Sequence, residues 1–425
     1  MRDDETTPAP LWRNSRFQLV WTGSAFSVLG IEVADIGYSL AILALTGSPA
    51  QAGLFGAVQA AAALIAGLPA GAFLDRHDRR GVLLATEGTR AVVTAGVALG
   101  LTTGHLTSGA LLAAAFVLGV MQPFGGAARL LLVRAVVLPN QLTRALTQEE
   151  VRTGSTQLAG PPLGGFLYGL SSTLPFVFTA LSFAISFGCA LFLRIPPSGP
   201  EGDVQADGDG GAPRQKADIL VGIKGIWNAP TLRAATLLVT AINTTGAPIA
   251  LVAVVILRKQ SVAPWLIGFA MSGMALGVLA GAALVRPLHR HLEPGFLLLG
   301  VALAEVPLFA ALALPFGPWW VTTILFCAML GVPALRVLAD VLIFRQVPDE
   351  QRGRTITAVM TLFGMGVPAG TAISGLLLQY FSTLTAMLAL AATLALAALY
   401  SLGKPAIRQA RWPEQPTSQA GSRSL

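Results

Sequence analysis

Between residues 195 and 216 the chain reads IPPSGPEGDVQADGDGGAPRQK. This stretch is rich in Pro, Gly and Asp and cannot bury a core. On both sides the sequence turns strongly apolar. Across 425 residues, 54% are hydrophobic and 12% are charged, where a soluble domain carries about 25% charged residues. Length alone allows about three soluble domains, but the polar cover they need is missing. The 46 Gly and 27 Pro follow no G-X-Y period, and the apolar content is too high for disorder. The chain therefore reads as an all-α polytopic membrane protein.

A bilayer core takes about 20 apolar residues per helix. By that rule about six runs precede the 195–216 stretch, covering roughly 17–45, 50–73, 82–102, 107–128, 146–170 and 174–194. About six follow it, covering roughly 231–257, 264–288, 294–315, 318–344, 354–379 and 383–403. The expected organisation is a six-helix half over 1–194, a cytoplasmic linker over 195–230, a second six-helix half over 231–403 and a tail over 404–425. Within the linker, Asp218 to Asn228 places Ile219, Leu220, Ile223 and Trp227 on one side. That suits either an interfacial helix or a plain linker helix.

The basic residues alternate between connections. Arg2, Arg13 and Arg16 precede span one, and Arg76, Arg79 and Arg80 follow span two. Arg134 and Arg144 follow span four, and Arg194, Arg214, Lys216, Lys224 and Arg233 populate the middle. Arg286 and Arg290, then Arg345, Arg352 and Arg354, then Lys404, Arg408, Arg411 and Arg423 continue the series. The intervening connections hold only Arg258 and Lys259. By the positive-inside rule both termini are expected in the cytoplasm of a cell (inner or plasma) membrane protein. The net charge of +7 is then topogenic and faces anionic lipid, and no nucleic-acid partner is expected. Trp12, Trp21 and Trp227 belong at the inner interface and Trp265, Trp319 and Trp320 at the outer one. The N-terminus opens acidic without an apolar core and cleavage site, so no cleaved signal peptide is expected. Cys189 and Cys327 each lie inside an apolar run and imply neither a disulfide framework nor a metal site.

The two halves echo each other. Pro49-x-x-x-Gly53 opens span two and Pro264-x-x-x-Gly268 opens span eight. VVLPNQLTRAL after span four resembles RQVPDEQRGRTI after span ten, and Gly160–Gly165 in span five resembles Gly364–Gly370 in span eleven. The echoes occur in the same order in each half. Parallel internal repeats of this kind place a substrate site at their interface near the bilayer midplane.

Span two ends in GAFLDRHDRR, Gly71 to Arg80. This resembles the G-x-x-x-D-R-x-G-R-R loop of the major facilitator superfamily, with Gly71, Asp75, Arg76, Arg79 and Arg80 matching and Asp78 replacing the second Gly. That replacement removes a flexible turn residue and is expected to stiffen the turn. Span five contains GPPLGG, in which Gly160, Pro161, Gly164 and Gly165 are similar to the end of the antiporter motif; its upstream Gly is Thr156 here. The span-four Arg motif is not found in good form. Over its whole length the chain resembles the drug–proton antiporter branch that includes macrolide efflux and enterobactin export proteins. The resemblance implies two six-helix pseudo-repeats, and a cytosolic gate in which Asp75 faces the N-terminus of span eleven. A helix N-terminus favours such a carboxylate, and Arg79 and Arg80 can pair with acids or phosphates. The same Arg residues also suit plain topology anchors. Gly160, Gly164 and Gly165 permit close helix approach and Pro161 bends the span, either as a leak-suppressing contact between halves or as ordinary small-residue packing.

Acids inside the membrane carry the functional reading, because each costs about 2.5–3.5 kcal/mol to insert. Glu32 and Asp35 lie near the middle of span one, three residues apart and on one helical face. Such a face lines a cavity. Holding both groups ionised is unfavourable, which suits a proton carrier; a satisfied structural acid is the alternative. Asp35 ranks first, Glu32 is its partner, and Asp340 is held in reserve because Arg336, four residues earlier, can pair with it. The resemblance implies that spans one, four, seven and ten line the cavity, which adds Arg129, Asn243, Thr244 and Arg336 as candidates. Arg129 and Arg134 also suit snorkelling to headgroups. Glu305 reads as structural, and Glu87 with Arg90 as a structural pair low in span three.

Motifs of soluble enzymes are absent. There is no H-E-x-x-H, no P-loop and no G-x-S-x-G, and His77, His105, His289 and His291 form no metal constellation. No enzyme activity, cofactor or metal is expected, and the energy source is then a proton gradient. The expected function is proton-coupled efflux of a small amphipathic drug or secondary metabolite by a monomer in the lipid bilayer. The alternatives are a symporter importing a small solute and a non-transporting sensor or scaffold of the same fold.

Overall fold

The computed structural model describes residues 10–194, 227, 230–335 and 352–404. All regular structure among them is helical. Six helices precede the linker: α1 (Ser15–Thr46), α2 (Pro49–Arg76), α3 (Arg79–Thr103), α4 (Ser108–Val136), α5 (Leu142–Leu170) and α6 (Leu174–Phe192). After it come α7 (Pro230–Gly246), α8 (Ile249–Lys259), α9 (Pro264–His291), α10 (Pro294–Leu312), α11 (Pro318–Met329), α12 (Arg352–Tyr380) and α13 (Thr383–Leu402). Span seven is thus α7 and α8, interrupted at Ala247 and Pro248, where proline removes a helical N–H. The expected Arg336–Asp340 pair, the linker apart from Trp227, and the tail beyond Lys404 lie outside the described residues.

Local signals explain the ends. Asn14 caps α1 by accepting from Phe17 N, Ser48 caps α2 through Gln51 N with Pro49 as its first residue, and Thr107 caps α4 through Ala110 N. Gly47 and Gly104 end α1 and α3 in the left-handed conformation. Among the described residues, eleven helical segments are long and apolar enough to cross a membrane. The twelfth span, α5, misses that measure: Arg144, Glu149, Glu150 and Arg152 crowd its first half, and Gly, Pro, Thr and Gln dilute the apolar residues of its second. Arg152 is buried and Glu149 half-buried, while Arg144 and Glu150 are exposed.

Helices α1–α6 pack among themselves, chiefly α1 on α5 and α6, α2 on α4, and α3 on α4 and α6. In the other half α7 packs on α12 and α13, α9 on α11, and α10 on α13. The halves meet along α2–α12 and α5–α9. One end of the bundle carries Arg76, Arg79, Arg80, Arg144, Arg194 and Arg290; the other carries Arg258 and Lys259. They are called here the Arg-rich and Arg-poor ends.

Contact between the halves is tight at the Arg-poor end. A Cβ on Gly53 would lie 2.7 Å from Gly375 Cα, and one on Gly165 would lie 2.9 Å from Gly268 Cα. Only glycine permits backbones to approach so closely. Ser48 Oγ donates to Gln379 Oε1 at 2.8 Å across the same seam. Towards the Arg-rich end the seam loosens. Among the described residues, a Cβ on Gly154 would meet only a Leu279 side-chain atom, at 3.4 Å, and one on Gly71 would meet nothing within 4 Å.

Candidate functional site

Helix α1 places the two central carboxylates. Gly23, Gly30 and Gly37 recur every seven residues and let α6 approach, against Cys189, Ser182 and Pro175 respectively. Val33 and the Cβ of Glu32 lie against Gly164 and Gly160 of α5. Two residues on from Val33, Asp35 points away from both neighbours, because two residues turn a helix by about 200°. Asp35 is exposed while Val33, Ala34, Ile36 and Gly37 around it are buried, and it lines a small cavity with Tyr38, Gln59, Arg90 and Gln122 of the same half. Glu32, on the same flank, is half-buried.

A second cluster lies inside the first half. Glu87 on α3 is fully buried, and its Oε1 accepts from Arg129 Nη1 at 2.7 Å and from Ser27 Oγ at 3.1 Å. Arg129 Nη1 also donates to Ser27 Oγ at 3.0 Å. Arg90 Nη1 stands 3.5 Å from the same carboxylate oxygen, and its guanidinium lies over the Phe183 ring at 5.6 Å. Arg129 therefore turns inward with a side chain 13% exposed, rather than snorkelling outward. The Glu87–Arg90 pair expected from spacing is the longer of the two ion pairs. The missing link was Glu87 to Arg129, across 42 residues. The clue was present: unlike charges on adjacent spans compensate one another in a membrane interior. On α5, Arg152 and Glu149 form a further pair at 2.9 Å.

The other candidates separate. Asn243 Nδ2 donates to Phe363 O at 3.1 Å, and Thr244 Oγ1 donates to Thr240 O at 2.7 Å. Gly366 and Gly370 of α12 pack on the same turn of α7, so this pair is engaged at a helix contact within the second half. Of the span-five motif, Gly160 and Gly164 face α1 of the same half, while Gly165 and the Pro161 carbonyl face Gly268 of the other. Only part of that motif bridges the halves.

At the Arg-rich end, Asp75, Arg76 and Arg79 are exposed. Arg80 is not free for acids or phosphates: its Nε and Nη2 donate to Ala190 O at 2.9 Å and Leu191 O at 2.6 Å. A guanidinium there satisfies carbonyls at the C-terminal end of α6. Asp78, in place of the motif's second Gly, caps α3 by accepting from Arg80 N at 3.3 Å and Gly81 N at 2.8 Å. The departure from the pattern is thus a helix cap. A pocket of about 430 Å³ lies beside this loop and is lined by Phe73, Val82, Ala85, Met121 and Phe124. It holds neither of the α1 acids. Among the described residues no three His, Cys, Asp or Glu side chains converge to hold a metal.

Comparison with known proteins follows the same lines. The description of the Major Facilitator Superfamily matches residues 20–335. No curated protein matches the sequence. Solved structures match well. A bacterial homologue of the human lysosomal transporter Spinster, inward-facing and occupied, is 14% identical with a TM-score of 0.72, covering 96% of this chain and 100% of that one. The nucleoside transporter NupG is 14% identical with a TM-score of 0.70, covering 94% and 100%. A bacterial homologue of the iron transporter ferroportin, inward-facing, is 17% identical with a TM-score of 0.65, covering 92% and 98%. At these identities the likeness concerns the fold.

Proposed function

The chain belongs to the Major Facilitator Superfamily, and on that premise we propose that it is a proton-coupled exporter of small amphipathic molecules, drugs or secondary metabolites. The observation that carries this reading is the α1 flank: two carboxylates at mid-span, Asp35 exposed and Glu32 half-buried. In the proposed cycle the Arg-rich end is cytosolic by the positive-inside rule. The shape described above is then the inward-facing state, and the halves rock about the central site. A proton arriving from outside neutralises Asp35, or Glu32 beside it, and favours release of the substrate. Return to the inward-facing state delivers the proton to the cytosol. The resemblance of GPPLGG to the antiporter motif supports the direction.

The experiment is flux in proteoliposomes with and without an imposed ΔpH, using ethidium, a rhodamine and erythromycin as probes. Movement of probe against the proton flow supports export by antiport. Movement with the proton flow favours a symporter that imports, and no ΔpH-driven movement of any probe overturns the coupling. Orientation is tested by labelling single-Cys variants: Gly104→Cys is expected to react from outside, and Gln205→Cys and Gln415→Cys from inside. Outside labelling at position 205 overturns the assignment.

A further inference from the structure

Among the described residues, seven buried polar side-chain atoms of the first half have no hydrogen-bond partner. Trp21 Nε1 and Arg152 Nε stand apart; the other five, Tyr38 OH, Thr94 Oγ1, Arg90 Nη1, Glu87 Oε2 and Ser24 Oγ, are not scattered. Tyr38, Ser27 and Ser24 descend α1 from the level of Asp35 towards the Arg-rich end, and Thr94, Arg90 and Glu87 descend α3 beside them. From Asp35 to Ser24 is eleven residues, about 16 Å along a helix. A cavity of about 30 Å³ is lined by Asp35, Tyr38, Arg90 and Thr94, with Gln59 of α2 and Gln122 of α4. A second void of about 10 Å³ lies beyond the Glu87 cluster, lined by Ser24, Arg129, Ser186 and Cys189. Buried polar groups require partners, and a void of about 10–15 Å³ holds one water. The first cavity has room for about two waters, and the second lies at the lower limit for one.

We propose that ordered waters fill these voids and, with Ser27 and Glu87, form a proton path inside the first half that joins Asp35 to the Arg-rich end. This rests on the coupling reading above, and adds a route separate from the gap between the halves. The step is proton transfer alone. The O–H bond at the Asp35 carboxyl breaks, leaving a carboxylate; each water accepts one proton and passes another on; the last proton leaves to bulk water at the Arg-rich end.

Along the path, Arg90 of α3 and Arg129 of α4 stand against the Glu87 carboxylate at 3.5 and 2.7 Å. The groups facing the path from other elements are Gln59 of α2, Gln122 of α4, and Phe183, Ser186 and Cys189 of α6. The Glu149–Arg152 pair of α5 is itself balanced. Glu32 lies on the α5 side of α1 and off the line.

The test has two arms. In the first, the full chain in lipid nanodiscs is labelled by pulsed radiolysis in ¹⁸O water. Tyr38 and Phe183 are expected to take up label several-fold faster than Phe17, which is equally buried but lines neither void. Labelling of Tyr38 no faster than Phe17 overturns the waters, whatever the flux assay gives. In the second arm, the Tyr38→Phe/Thr94→Val variant removes two hydroxyls and no charge. The ratio of ΔpH-driven to downhill ethidium flux is expected to fall at least about tenfold, a modest share of a proton-transfer contribution. An unchanged ratio with Tyr38 still labelled makes the waters structural and overturns the path. Labelled wild type without ΔpH-driven flux of any probe overturns the coupling reading and the path together, leaving a hydrated site.

Discussion

Helix α2 has two ends with opposite characters. At one, Gly53 presses on the backbone of Gly375. At the other, Gly71 stands in open space and Asp75 is exposed. The sequence motif that is easiest to recognise, GAFLDRHDRR, sits at the open end. The contact that holds the halves together is made by the less conspicuous Pro-x-x-x-Gly. In the alternating-access cycle proposed above, the loop of Asp75 would meet α12 when the bundle closes at the Arg-rich end.

That contrast can be broken at its seam. Replacing Ser48 and Gln379 by Cys, in a chain whose Cys189 and Cys327 are Ser, places one thiol on each side of the seam that their 2.8 Å hydrogen bond now spans. Joining them with a reducible bis-methanethiosulfonate cross-linker is expected to lock the Arg-poor end and abolish turnover, with recovery on reduction. Full turnover of the cross-linked protein shows that this end need not open. Gly53→Val is the next largest effect. Its side chain meets the backbone of α12, and overpacking of this kind costs about 1–3 kcal/mol. A lowered thermal midpoint in detergent checks it, and an unchanged midpoint denies the tight seam. Asp75→Asn is expected to leave the midpoint alone and slow flux about two- to fivefold, the size of a carboxylate–helix dipole interaction. Unchanged flux reduces the loop to a topology anchor. Gly71→Val, in open space, is expected to stay within about 0.5 kcal/mol of wild type. A larger loss means that the Arg-rich end is packed in the resting protein.

Most of the fold was legible, because apolar length is a strong signal when every face of a helix meets lipid or other apolar helices. The span expected over 174–194 is α6, Leu174–Phe192, and that over 264–288 is α9, Pro264–His291. The echo of Gly53 and Gly268 was legible too. Each proves to be the glycine that meets a glycine of the other half, Gly375 and Gly165. The site was less legible. Composition and spacing single out Glu32 and Asp35, since charge in a membrane is rare. They do not say which partner a buried charge chooses. Glu87 chose Arg129 over its own neighbour Arg90 because α3 and α4 face each other there, a fact of packing and not of spacing. Arg80 and Asp78 likewise look like motif members in one dimension. In three dimensions they finish α6 and begin α3.

Asp35→Asn tests the central claim most directly. The amide mimics a carboxyl that never releases its proton, at an exposed position midway along α1. Probe flux is measured in proteoliposomes with and without an imposed ΔpH. The variant is expected to lose all ΔpH-driven accumulation while keeping probe binding and downhill exchange. Full ΔpH-driven accumulation by Asp35→Asn, and by Glu32→Gln beside it, contradicts the account and moves the search for the coupling residue to Asp340.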